Sequence, residues 1–276
     1  MGEIINSYIF PHPPVIIPEV GNGEEKKAAK TYDSCIKAAG EIKKDNPSTI
    51  IVTTPHAPYF QDYLYVSTEN NLTGDLKKFG RRDVEFKFKN NSELLDKIIT
   101  NARNEGINSG GLDKEQLKKF GLTEQLDHGA LVPLYFISKE LKNFSIIHIA
   151  VADFSMDELY NFGKCISSAI EDSDEKVVFV ASGDLSHRVN DNSPYGYSPF
   201  GSKFDNLFVE SIREAHFKRL LTVEEELSEG AAECGLRSFV IMFGALDKYQ
   251  VTPDVYSYEA PFGIGYCVAK LNTMLS

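Results

Sequence analysis

The chain has 276 residues, 42% of them apolar and 25% charged, the composition of a globular protein rather than a fibrous or disordered one. With 29 Lys and Arg against 40 Asp and Glu the formal charge is −11, which repels phosphate backbones and argues against nucleic acid as a partner. No run reaches the roughly 18–20 apolar residues of a membrane span, so no membrane partner is expected.

The N-terminal MGEIINSYIFPHPP lacks the basic leader and long apolar core of a signal peptide. Its Met-Gly start fits the myristoylation motif poorly, because Asn6 stands where Ser or Thr is wanted. Cys35, Cys165, Cys234 and Cys267 form no CxxC pair, which suggests reduced thiols and a cytoplasmic protein. Cys35 and Cys165 lie on helix-like segments and read as small core residues. The composition leaves a homo-oligomer open.

In chain order, EIINSYIF (3–10) reads as a strand and residues 24–45 as a helix with Ala, Tyr and Ile on one face. TIIVTTP (49–55) is apolar nearly throughout, the pattern of a strand buried on both faces in a parallel sheet. DYLYVST (62–68) and VEFKFKN (84–90) alternate like half-exposed strands. Helices are expected over 92–106 and 130–141. Strands at 144–151 and 176–182 flank a helix over 155–171, with Ser155 as N-cap and Glu158 three residues on. Two further helices read at 203–217 and 233–247, and residues 254–271 close as two strands around a Gly-rich loop. The loop 188–203 is the longest segment without expected structure. The alternation predicts a single α/β domain over residues 1–276, with a mostly parallel or mixed central sheet flanked by helices.

In such sheets ligands bind beyond the carboxyl ends of the strands. His12 follows the first strand, His56 the second, and His187 follows KVVFVAS after a turn. Pro11, Pro13 and Pro14 stiffen the chain around His12, and Pro55 and Pro58 bracket His56, as pre-set metal ligands require. His128, between Asp127 and Gly129 at a helix start, is disfavoured as a cation and stays available as a donor or base. His148, inside FSIIHIAV, reads as a satisfied core histidine, and His216 as a solvent-facing helix residue. Two neutral imidazoles and a carboxylate suit non-haem Fe(II). Glu233, Glu259 and Glu19 are the candidate carboxylates, and Cys234 offers a thiolate that would move the site toward Zn(II).

Taken together, FPHPPVIIPEVG, TPHAPYF, LDHGALVPLYF, SGDLSHR, ECGLRSFVIMFGAL and APFGIGY resemble the class III extradiol dioxygenase superfamily. The likeness is to the branch associated with AMMECR domains and related to the Memo proteins, and it covers essentially the whole chain. It implies Fe(II) held by His12, His56 and Glu233, with Cys234 as the alternative third ligand. It implies His187 as the catalytic acid/base and His128 as a pocket residue contacting substrate or oxygen. A small catechol-like aromatic and dioxygen are the implied substrates, with a separate AMMECR-domain protein as the implied partner. Tyr59, Phe60, Tyr195, Tyr197 and Phe262 are candidate walls for a planar substrate. The stretch SPYGYSPFG is a candidate lid with Gly196 and Gly201 as hinges.

Overall fold

The runs IIVTT and VVFVA, apolar on both faces, occupy adjacent central strands of an eight-stranded mixed sheet, where both faces are covered. The computed structural model describes residues 1–275. Its strands are β1 (Glu3–Phe10), β2 (Thr49–Thr54), β3 (Leu64–Tyr65), β4 (Asn71–Leu76), β5 (Arg81–Asn90), β6 (Ser109–Gly110), β7 (Ser145–Ala150), β8 (Lys176–Ser182), β9 (Tyr249–Glu259) and β10 (Tyr266–Leu275). Its helices are α1 (Pro18–Gly21), α2 (Ala29–Asp45), α3 (Ser92–Asn104), α4 (Lys114–Lys119), α5 (His128–Glu140), α6 (Met156–Glu171), α7 (Pro199–Arg213), α8 (Glu225–Ala231) and α9 (Leu236–Ala245). No helix among the described residues is long and apolar enough to cross a membrane.

The large sheet runs β4-β5-β7-β2-β8-β1-β10-β9. Strands β5, β7, β2, β8 and β1 are mutually parallel, while β10 and β9 on one side and β4 on the other pair antiparallel. The period of two divides the core. Ile50 and Val52 pack with α2 and α5 on one face, and Ile51 packs with α3, α6, α7 and α9 on the other. Each fully buried aliphatic side chain of this kind contributes roughly 1.5–3 kcal/mol. The arrangement brings the carboxyl ends of β2, β8 and β1 side by side.

The expected single-domain α/β architecture is the one observed, and Cys35 and Cys165 are buried in the core as expected. Several boundaries differ. Residues 24–28 form a 3-10 turn, and α2 begins only after Ala28, whose dihedrals (φ −108°, ψ 40°) are not helical. DYLYVST contributes only the two-residue β3, and its alternation fails because Leu64, Tyr65, Val66 and Ser67 are all buried. The short β4, β6, α4 and α8 have no counterpart among the expected elements. Helix α7 starts four residues before the expected boundary, with Ser198 as N-cap and Pro199 in the first turn. Gly201 therefore sits inside that first turn, against the Arg188 carbonyl, and is not a loop hinge. His216 is exposed, but lies in a turn after α7 rather than on the helix.

The cap expected at Ser155 forms in both directions: its hydroxyl accepts the Glu158 N–H at 3.2 Å, and the Glu158 carboxylate accepts the Ser155 N–H at 2.9 Å. Ser155→Ala is expected to cost about 1 kcal/mol. In a chain of this size that lowers the thermal midpoint by about 2 °C, read by calorimetry, and an unchanged midpoint would contradict the cap's contribution.

Candidate metal centre

The chain leaves β1 at Phe10, and the proline-rich turn carries His12 over the end of β8, where it is 1% exposed. The His12 backbone N–H donates to Asp184 Oδ1 at 2.8 Å, which fixes the turn. On the ring, Nδ1 lies 2.9 Å from the Ser182 hydroxyl. That hydroxyl has one proton and donates it to the Gly129 carbonyl at 2.5 Å, so the His12 Nδ1–H is the donor to Ser182. The tautomer is thereby set, and Nε2 presents its lone pair outward.

His56, two residues past β2 and exposed, brings its Nε2 to 2.9 Å from His12 Nε2. His128 opens α5 and stacks on His56 with ring centroids 4.2 Å apart. One donor atom from each of His12, His56 and His128 lies within 4.8 Å of the other two. Cys234 Sγ lies 3.5 Å from His12 Nε2. Its approach depends on Gly183 and Gly235, which touch: a Cβ on Gly183 would sit 2.3 Å from the Gly235 Cα. That contact packs the Glu233–Gly235 turn onto the end of β8.

Electrostatics keep the imidazoles neutral. Burial, reinforced by His56 and His128, drives the His12 pKa well below its ordinary value. His56 is exposed as a residue, but its ring loses water where it meets His12 and His128, and this desolvation together with His128 pushes it down to about 4; burial also lowers His128 and His187. The Cys234 thiol is held well above its ordinary range by burial and by the Asp184 and Glu233 charges, so a cation would be needed to draw off its proton. Burial pushes Asp184 up to about 7.

The donors fit a divalent metal. Bonds of about 2.0–2.1 Å to nitrogen and about 2.3 Å to sulfur give ligand–ligand edges of about 3–3.5 Å. The His12–His56 nitrogen pair at 2.9 Å and the His12–Cys234 pair at 3.5 Å match such edges, while the three donors that all lie within 4.8 Å of one another are those of His12, His56 and His128.

The Glu233 carboxylate accepts the Leu236 N–H at 2.7 Å at the start of α9, and burial pushes its pKa up to about 7. Glu259 accepts both the N–H and the hydroxyl of Thr31 at 2.7 Å, and Glu19 accepts the Tyr135 hydroxyl, so neither joins the histidines. The carboxylate near His12 is Asp184, with Oδ2 4.0 Å from Nε2. It is not among the expected carboxylates, although it stands in the same SGDLSHR stretch as His187. His187 is half-buried, its Nδ1 has no hydrogen-bond partner among the described residues, and Tyr195 meets its ring edge-on at 5.3 Å. Phe79, from a turn outside the expected elements, packs edge-on against His128 at 5.4 Å. Of the other candidate walls, Tyr59 is exposed with its hydroxyl on Asp153, Tyr197 is exposed, Phe60 packs on Phe120, and Phe262 packs near Tyr266.

His148 is 1% exposed and satisfied on both ring nitrogens, by Ser67 at 2.8 Å and Asp127 at 2.9 Å. Burial alone would raise the Asp127 carboxyl, but His148, Thr54 and His128 hold it well below the usual carboxylate range.

Residues 6–269 match the family model described as the catalytic LigB subunit of aromatic ring-opening dioxygenase. The chain is 41% identical over 264 residues to the Clostridium acetobutylicum protein CA_C1420, covering 96% of this chain and 56% of that protein. It is 28% identical over 181 residues to the 3,4-dihydroxyphenylacetate 2,3-dioxygenase of Escherichia coli, covering 61% of this chain and 62% of that one. The chain thus spans little more than half the length of these two relatives. Over 301 aligned residues it is 22% identical to the 2-aminophenol 1,6-dioxygenase beta subunit of a Pseudomonas species, covering 98% of this chain and 94% of that relative. Among solved structures, the protein JW3007 of Escherichia coli K12 superposes with a TM-score of 0.63 at 12% identity, over 96% of this chain and 99% of that one. With nearly its whole length matched, the chain belongs to the family of catalytic LigB subunits of aromatic ring-opening dioxygenases.

Proposed function

We propose that the chain is a non-haem, metal-dependent dioxygenase of the extradiol type, using Fe(II) to open a catechol-like aromatic ring with dioxygen. The observation that carries this reading is the convergence of two neutral imidazoles, with His12 and His56 Nε2 2.9 Å apart at the strand ends. Membership of the ring-opening family supplies the reaction class. His12 and His56 would be the histidine ligands and Cys234, 3.5 Å from His12 Nε2, the third protein donor, with Glu233 Oε2 accepting the Leu236 N–H at the start of α9.

A divalent cation there would supply a Lewis acid for the substrate hydroxyls and a meeting point for dioxygen. The remaining work falls to the side chains. His187 takes a hydroxyl proton: it is neutral, and its Nδ1 has no protein partner among the described residues. His128, neutral and stacked on His56, offers a hydrogen bond to a bound oxygen atom. Phe79 packs edge-on against His128 as an apolar wall, and the exposed Tyr195 lies edge-on to the His187 ring.

Loading with Fe(II) under nitrogen, then adding 3,4-dihydroxyphenylacetate and other catechols in air, tests the reading. One dioxygen consumed per ring opened is expected. His187→Ala should keep its iron and lose about 10²–10⁴-fold in kcat, and unaltered turnover would remove His187 from the proton step.

The thiol supports a second reading. Two imidazoles and a sulfur suit Zn(II), and the same scaffold would then act as a zinc-dependent hydrolase or lyase. Tight zinc binding with no dioxygen uptake would favour it. If no catechol is turned over and a stable partner co-purifies, a non-catalytic role with an AMMECR-domain or radical-enzyme protein replaces both.

A further inference from the structure

Asp127 makes contacts that the ligand set does not use. It caps α5, with Oδ1 accepting the Gly129 N–H at 2.8 Å. The same oxygen accepts the Thr54 hydroxyl at 2.6 Å. Thr54 Oγ1 in turn accepts the backbone N–H of His56 at 3.2 Å. One carboxylate oxygen therefore ties the backbone beside His128 to the backbone of His56. The other oxygen, Oδ2, meets His148 Nε2 at 2.9 Å.

His148 is braced from behind. The Ser67 hydroxyl lies 2.8 Å from its Nδ1, and the Ser67 N–H donates to the His148 carbonyl at 3.1 Å. Ser67, His148 and Asp127 are in the order of a hydrolytic triad, but Ser67 is 3% exposed and its hydroxyl is closed to a substrate. The glycine of the DHG stretch has its reason here too. A Cβ on Gly129 would stand 2.3 Å from Thr54 Oγ1 and 2.8 Å from Asp127 Oδ1, in the space the hydrogen-bonded pair occupies.

We infer that Asp127 is a positioning residue of the metal centre, with Thr54 as its arm to His56 and His148 as its lock. The network holds the His56 and His128 rings stacked at 4.2 Å before a metal arrives. The inference rests on the metal reading of the site. Groups one shell out from a metal typically change its affinity by about 10–100-fold, because they fix the ligands in the bound orientation.

The test is Co(II) titration of the full chain, followed by visible absorption, in paired variants. Wild type is expected to bind one Co(II) and His56→Ala none. Thr54→Val keeps the shape and loses the hydroxyl, so it should weaken binding about 10–100-fold. Thr54→Ser keeps the hydroxyl and loses a methyl, so it should stay within about threefold of wild type. A packing role for Thr54 predicts the opposite order. Asp127→Asn keeps an acceptor for Gly129 and drops the charge, and it should also weaken binding about 10–100-fold, which covers the case in which Thr54→Val does not fold. Wild-type affinity in Thr54→Val or Asp127→Asn, with wild type binding and His56→Ala not, overturns the positioning inference alone. If wild type takes up no Co(II), or His56→Ala binds it unchanged, the metal reading fails and the inference falls with it.

Discussion

Alanine at position 12 or 56 is expected to abolish stoichiometric metal binding, a loss of more than about 100-fold in affinity, larger than the loss expected from any residue behind the proposed ligands. The two variants separate in stability. His56 is exposed, so His56→Ala should leave the thermal midpoint nearly unchanged. His12 is buried, and its Nδ1–H is the partner of the Ser182 hydroxyl. His12→Ala leaves that hydroxyl one partner short and opens a cavity, at a cost of about 1–3 kcal/mol. Metal content by mass spectrometry and midpoints by calorimetry read both effects. Unchanged metal content in either variant would remove that residue from the ligand set.

Stability also depends on pH through Asp205, a carboxyl fully buried on α7. It accepts the Ser186 N–H at 2.8 Å and the Tyr258 hydroxyl at 2.6 Å, tying the loop that leads to His187 to β9. Burial outweighs these donors and pushes its pKa from 3.8 up to about 7. The folded state therefore keeps a proton that the unfolded chain releases above pH 3.8. Stability from this group is full below the unfolded pKa and is lost as pH rises to about 7. At 1.36 kcal/mol per unit, the loss is about 4 kcal/mol. The histidines with lowered pKa act in the opposite direction, so the difference between Asp205→Asn and wild type isolates the effect. Denaturant unfolding should find the variant gaining about 4 kcal/mol on wild type between pH 4 and pH 8. A difference that stays flat over that range would show that the carboxyl is not held protonated.

The central sheet is legible in the sequence because β2, β7 and β8 are nearly continuous apolar runs, a pattern that fits few other arrangements. His12 and His56 are legible because prolines surround them at strand ends. Strand β4, NLTGDL, is not, since its Asn, Gly and Asp argue for a turn and only pairing with β5 makes it extended. The two neighbours Glu233 and Cys234 show a different limit. Both have metal-ligand chemistry, and which of them faces His12 depends on how the chain turns out of α8. Ala232, in the left-handed region at φ 52°, ends that helix, and the Gly183–Gly235 contact sets the turn beyond it. Neither feature leaves a periodic signal. Asp184 and Asp127 escape a sequence reading for a similar reason: their partners His12, Thr54 and His148 are far away along the chain.

The most direct test of the metal centre is anomalous diffraction at the iron and zinc edges from crystals of metal-loaded protein. A single strong peak bonded to His12 Nε2 and His56 Nε2 is expected, with Cys234 Sγ as the third protein donor. A peak elsewhere, or none at these two nitrogens, would contradict that ligand set.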